Sequence, residues 1–178
     1  LDRVSVAEQT RVVVMPYLSG ERLPNYPDAR GSVMGIDHTT TPGEILLAAY
    51  EGVAYSLVQS IEVLHAHSSG IDSDAPIILV GGGAKGKIWQ KTISRLSGRE
   101  LVIPKSAELV AYGAAAQAAG ILNNEAAVDV AARWNVSDGP RLAASAVDSE
   151  AIERNQCIRE AAHELNSREF FAIPQSRT

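Results

Sequence analysis

The chain has 178 residues, 46% of them hydrophobic and 21% charged, with a formal net charge of −5. That size and balance suit a globular protein with a real core, and the acidic balance excludes the basic footprint of a nucleic-acid binder. The lone Cys157 cannot close an internal disulfide, no apolar run approaches the ~20 residues of a membrane helix, and the start lacks the layout of a signal peptide. A cytoplasmic chain is therefore expected, with neither membrane nor nucleic acid as partner. It opens on Leu1 rather than Met and reads as a piece of something longer.

The first element is a β-branched run, Val12 to Val14, broken at Pro16 and Ser19-Gly20. A long loop to about Thr41 follows. Its Tyr17, Leu18, Tyr26, Val33, Met34 and Ile36 argue for packing rather than disorder. Thr41-Pro42-Gly43-Glu44 is a helix start: Thr41 caps, Pro42 suits the first helical position and Glu44 completes a capping box. Behind it Leu46, Ala49, Tyr50, Val53, Leu57, Ile61 and Leu64 recur at three- and four-residue steps, predicting a helix over 42–66, part of whose stripe is expected to be exposed in this chain.

Residues 77–80 are wholly apolar and predict a strand buried on both faces. A helix follows with Trp89, Ile93 and Leu96 inward, stopped by Gly98. Then come a short strand closed by Pro104 and a helix of small residues stopped by Gly120. Strand, helix, strand, helix makes one parallel βαβ unit plus a helix, hence an α/β class. Beyond residue 121 the pattern predicts no strand. Residues 125–134 read as a short helix, the following stretch as a linker, 149–166 as an amphipathic helix, and the end as a tail.

"IILVGGGAKGKIWQ" fits three phosphate loops at once. As a P-loop it puts Ile88 where a Mg²⁺-ligating Ser or Thr is needed. As a dinucleotide fingerprint it offers Gly81, Gly83 and Gly86. It lacks an acidic residue at the end of the second strand, where Ile103-Pro104-Lys105 stands, and a third strand after the next helix. The third reading uses Gly81-Gly82-Gly83 alone, a backbone that approaches an anion without a Cβ at a helix start. A tight turn with no ligand is the plain alternative. Three glycines in a row, at the carboxyl end of a parallel strand, favour the ligand.

In order, "YLSGERLP", "PDARG", "TPGEILLAAYEGVAYSL", "GGGAKGKIWQ" and "AELVAYGAAAQAAG" resemble the C-terminal domain of FGGY carbohydrate kinases, closest to the xylulokinase branch. The resemblance covers about residues 11 to 120. It implies a partial actin-like, RNase H-like ATPase domain with a short, mostly parallel sheet flanked by helices. Residues 1–120 would be its nucleotide-binding core, and 121–178 a helical extension and tail. It implies transfer of the γ-phosphoryl group of ATP, with Mg²⁺, to a ketopentose such as D-xylulose. Gly81, Gly82, Gly83 and Ala84 would contact the nucleotide, with Lys87 facing it. Glu108 and Gly113, with Ala111 and Ala114, would lie across the pocket on the E-x-x-A-x-G-A helix, and Arg30-Gly31 on a cleft-side loop. No catalytic residue and no metal ligand is assigned to this chain. The sugar contacts and the activating aspartate would lie in an N-terminal domain outside it, so the chain alone is expected to be inactive. A homodimer is left open for the full-length form. The alternative is a non-catalytic nucleotide-binding or interaction module with an actin-like half-fold.

Overall fold

The computed structural model describes residues 5–22, 25–68, 72, 74–106, 108–135 and 138–164. The chain folds as two compact units, one taking in residues up to Ser69 and again from Asp148, the other spanning Gly70–Val147. This division does not follow the 120/121 boundary expected from the sequence.

In the first unit, β1 (Val13–Met15) pairs antiparallel with β2 (Ser32–Met34), Val14 opposite Val33. β2 lies inside the stretch read as loop, where three residues are too few to show alternation. Of the residues expected to pack there, Tyr17 is buried and Tyr26 and Met34 lean on its cluster, whereas Leu18, Val33 and Ile36 are exposed. α1 (Pro42–His67) starts on the expected box: the Glu44 amide donates to the Thr41 hydroxyl, and the Thr41 amide donates to the Glu44 carboxylate.

The residues that α1 buries are not those of the predicted stripe, part of which is exposed as expected. Leu47, Ala48, Glu51, Ala54, Tyr55 and Val58 are buried, while Val53, Leu57 and Leu64 of the predicted stripe are exposed. α1 is apolar on more than one side, and periodicity could not say which side faces this chain. The choice is fixed at Gly52, where a Cβ would stand 2.0 Å from the Val14 carbonyl oxygen. Strand and helix touch backbone to backbone there. α5 (Ser149–Ala161), capped by Asp148 on the Ala151 amide, also packs on β1 and α1. Its Arg154 reaches the buried Glu51 at 3.4 Å. α5 is shorter than the expected 149–166, and the tail lies outside the described residues.

In the second unit, β3 (Ile77–Ile78) runs parallel to β4 (Leu101–Val102), and β4 pairs antiparallel with β5 (Arg141–Leu142). Only one of these pairings is parallel, so the "mostly parallel" sheet expected from the sequence reduces to β3–β4. β5 falls in the presumed linker, which continues into packing contacts: the Ser145 hydroxyl lies 2.6 Å from that of Ser94 on α2 (Lys87–Ser97). The strand over 77–80 was expected to be buried on both faces. It is two residues long and stands at the sheet edge, with Ile78 and Val80 about half exposed. Ile93 and Leu96 of α2 are buried as expected. α3 (Leu109–Asn123) packs on α4 (Ala127–Trp134). It runs through Gly120 instead of stopping there. Gly120 is buried where a Cβ would come within 2.8 Å of the Glu125 carbonyl, and Asn124, at φ +53°, ends the helix.

Candidate functional site

The glycine turn sits where β3 ends. Ile77 and Leu79 donate their amides to Glu100 and Val102 of the β4 side, at 2.8 and 2.9 Å, which fixes the strand up to the turn. Gly81 then takes φ +88° and ψ 179°, a conformation open to glycine and costly for any other residue. One 3₁₀ turn, Gly82–Lys85, intervenes before α2, so the glycines do not run straight into the long helix. The turn is closed by Ala84 N–H to the Gly81 carbonyl and Gly86 N–H to the Gly83 carbonyl, at 3.2 and 3.1 Å. Ala84 is its anchor: the side chain is buried, and its carbonyl accepts from the Gln90 side-chain Nε2 at 2.6 Å.

Around the three glycines lies open space. A Cβ on Gly81, Gly82 or Gly83 would meet nothing within 4 Å. Gly81 is explained by its positive φ. Gly82 and Gly83 are not among the residues with positive φ, and no neighbouring atom crowds them. The described residues therefore give no reason for glycine at these two positions. The first amides of a helical turn have no acceptor within the turn, which makes such a turn a place where an anion can be held.

β3 and β4 are parallel, so the turn after β3 and the segment after β4 emerge at the same end of the sheet. That end is where open α/β sheets place ligands. The second segment is braced by β5 and what precedes it. Ile103 and Lys105 donate their amides to Pro140 and Asp138, and the Lys105 ammonium lies 3.1 Å from the Asp138 carboxylate. The hydrogen bond from Lys105 holds the Asp138 carboxyl below the usual carboxylate range. Glu108 then caps α3 by position. Its amide donates to the Ser106 hydroxyl at 3.1 Å, while its side chain is exposed and makes no capping bond. Lys87, at the start of α2, is exposed as well. Gly113, one turn into α3, is exposed, and beyond its own helix no described residue comes within 4 Å of where its Cβ would be.

All seven candidate residues thus belong to the second unit. The structure gathers Gly81 to Lys87 on one turn and brings the approach to Glu108 to the same sheet end. Arg30 belongs to the other unit, where its guanidinium donates to the Asp28 and Ala29 carbonyls at 3.0 and 2.8 Å. The dinucleotide reading loses its frame, because the second neighbour of β4 is the antiparallel β5 and not a third parallel strand. The bracing by Asp138 was missed from the sequence. A two-residue strand carries no periodicity, and Asp138-Gly139-Pro140 reads as a turn. Its only signal is that a Cβ on Gly139 would fall 1.9 Å from the Ile103 carbonyl oxygen, a contact visible only in three dimensions.

The C-terminal domain of the FGGY family of carbohydrate kinases matches residues 2–121. A xylulose kinase from Streptomyces rubiginosus is 46% identical over 154 residues, which is 86% of this chain and 32% of that protein. The chain spans about a third of the length of the curated relatives it matches. Among solved structures, a xyloylose kinase from Brucella ovis has a TM-score of 0.74 at 24% identity, covering 90% of this chain and 34% of the other. The glycerol kinase of Plasmodium falciparum, solved with ADP, has a TM-score of 0.67 at 24% identity, covering 87% and 31%. These two likenesses are of fold, the actin-like ATPase fold of sugar kinases. Ordered motifs, an open glycine turn at the end of a parallel strand pair, and the match over residues 2–121 lead to one assignment: the chain belongs to the FGGY family of carbohydrate kinases, as its C-terminal domain.

Proposed function

We propose that this chain is the nucleotide-binding part of an ATP-dependent sugar kinase that phosphorylates a ketopentose, with D-xylulose the first candidate. The observation that carries the reading is the pair Gly82 and Gly83, glycine without a conformational need and with open space before the backbone. Phosphate oxygens fill such a space and accept from the turn's amides. The xylulose kinase from Streptomyces rubiginosus supports the sugar, and the ADP bound by the Plasmodium falciparum glycerol kinase supports the nucleotide.

In this reading Gly81 to Ala84 hold the phosphates and Lys87 supplies positive charge to them. Glu108 and the bare backbone at Gly113 border the nucleotide from α3. The work of these residues is positioning and charge stabilisation, the two contributions phosphoryl transfer asks of a protein. Among the described residues no group of three His, Cys, Asp or Glu side chains could hold a metal ion. Mg²⁺ would therefore come on the nucleotide's phosphates, as it does where few protein ligands are offered. No described residue is placed as the base for the sugar hydroxyl. Among the described residues no helix is long and apolar enough to cross a membrane, and a cytoplasmic site of action accords with this reading.

The test is twofold. Titration of the 178-residue chain with ATP should give saturable binding that Gly83→Val weakens. Assay with ATP and D-xylulose should give no turnover from these residues alone, and turnover once they are joined to a sugar-binding domain of a relative. Absence of nucleotide binding would favour an interaction module, and turnover by the 178 residues would defeat the division of labour.

A further inference from the structure

A cavity of about 690 Å³ lies within the first unit. That volume is in the range of small-molecule sites. Its walls are the rings of Tyr17, Tyr26 and Tyr55, with Gln59 from α1 and Arg159 and His163 from the last helical segment. Arg159 is held between two of the rings, its guanidinium carbon 5.5 Å from the centre of Tyr17 and 4.7 Å from that of Tyr55. It donates to the Tyr17 hydroxyl and the Ser56 hydroxyl, both at 3.0 Å, and to the Gly52 carbonyl at 2.7 Å. All three acceptors are neutral, and the buried Nε has no partner among the described residues. The Glu160 carboxylate, on the same wall, accepts from Gln156 instead. Tyr26 and His163 are joined by a bond between the phenol and Nδ1 and meet ring edge to face.

We propose that this cavity is a binding site for a planar aromatic anion, separate from the glycine turn. The rings offer a flat apolar body its largest contact area. The charge decides the sign of the guest. An aromatic cage accepts a cation through its ring faces, but Arg159 already occupies faces of Tyr17 and Tyr55. A second cation would meet the first across an apolar wall, where charges are poorly screened. An anion is drawn to a guanidinium that no carboxylate of the described residues pairs with, because the Glu160 carboxylate on the same wall is solvent-exposed and bonded to Gln156.

Two probes with one body test this: naphthalene-1-sulfonate and 1-naphthylmethylammonium, each in equilibrium dialysis with the full chain. The sulfonate should bind at one saturable site, about tenfold or more tighter than the ammonium. Gln59→Trp, an exposed position on the cavity wall, should weaken sulfonate binding about tenfold or more by filling the space, with circular dichroism and ATP affinity unchanged. Equal binding of both probes, or sulfonate binding indifferent to Gln59→Trp, would overturn the proposal. So would binding seen only after residues 165–178 are removed, since the site would then belong to the chain's own end. Because ATP is read in parallel, loss of the nucleotide reading and loss of this one are separable.

Discussion

Gly52 and Gly83 are the same residue in opposite surroundings. At Gly52 a methyl group would stand 2.0 Å from a strand carbonyl; at Gly83 it would meet nothing within 4 Å. The first glycine is explained by the chain, which needs it to lay α1 on β1. The second is explained by nothing in the chain. The contrast extends to the units around them. The first is closed by backbone contact, by a buried ion pair and by Arg159 bridging α5 to α1. The second presents an open turn and an α3 whose Val110, Ile121 and Leu122 are exposed. A glycine that is crowded reports on folding, and a glycine that is not crowded reports on what the protein meets.

The sharpest way to break the comparison is to fill both positions with the same side chain. Gly52→Val should cost more than about 4 kcal/mol, because neither strand nor helix backbone can yield by over an ångström without undoing the layer. Urea unfolding followed by circular dichroism would read it, and a stable variant would mean that α1 is not seated on β1 as described. Next in size is Arg154→Ala. It takes the Arg154 cation away from Glu51, which is 1% exposed, and removing one partner of such a buried pair costs about 3 kcal/mol. A change below about 1 kcal/mol would show that Glu51 has sufficient other partners.

Gly83→Val should invert the pattern. Nucleotide affinity should fall about tenfold or more, equivalent to about 1.4 kcal/mol. The unfolding midpoint should barely move, since no neighbour is displaced. Unchanged affinity by calorimetry would return the glycines to the role of a turn. The smallest effect is at Glu44, whose carboxyl is held below its ordinary 4.5 by bonds from the Thr41 amide and hydroxyl. A lowered folded value stabilises above the ordinary pKa, and the contribution is lost as pH falls through the folded value. Glu44→Gln should therefore narrow its gap from the parent between about pH 6 and about pH 3. A gap independent of pH would mean the carboxylate's charge contributes nothing to the cap.

Against these tests, what the sequence disclosed can be judged element by element. α1 was legible because its start is written in four adjacent residues, and α2 because its apolar Ile93 and Leu96, both buried, stand at helical spacing. The glycine turn was legible because three glycines have few reasons to stand together. The seated face of α1 was not, since an all-round apolar helix has no preferred side until a neighbour is known. β2 and β5 were not, because three- and two-residue strands are set by their partners rather than by propensity. The role of Glu108 came from resemblance alone, and that of Gly113 from resemblance and from the cost of glycine inside a helix; the structure leaves the Glu108 side chain without a capping bond and the space at Gly113 open.

The first unit also surrounds the second in sequence, and this bears on how the chain is made. Glu51 and Arg154 are 103 residues apart, and closing so long a flexible loop costs about 4 kcal/mol in chain entropy. On a ribosome, α1 is finished long before α5 exists, and the 70–147 segment emerges between them. If that segment folds first, the span to be closed shrinks to the distance between its two ends, and most of the entropic cost has been met before Arg154 arrives. During that interval α1 stands without α5, and the faces of α1 that α5 covers are open to chaperones. Synthesis slowed between residues 147 and 164 would prolong the interval, so the codons of the last helix bear on yield in a way that no contact in the finished fold reveals.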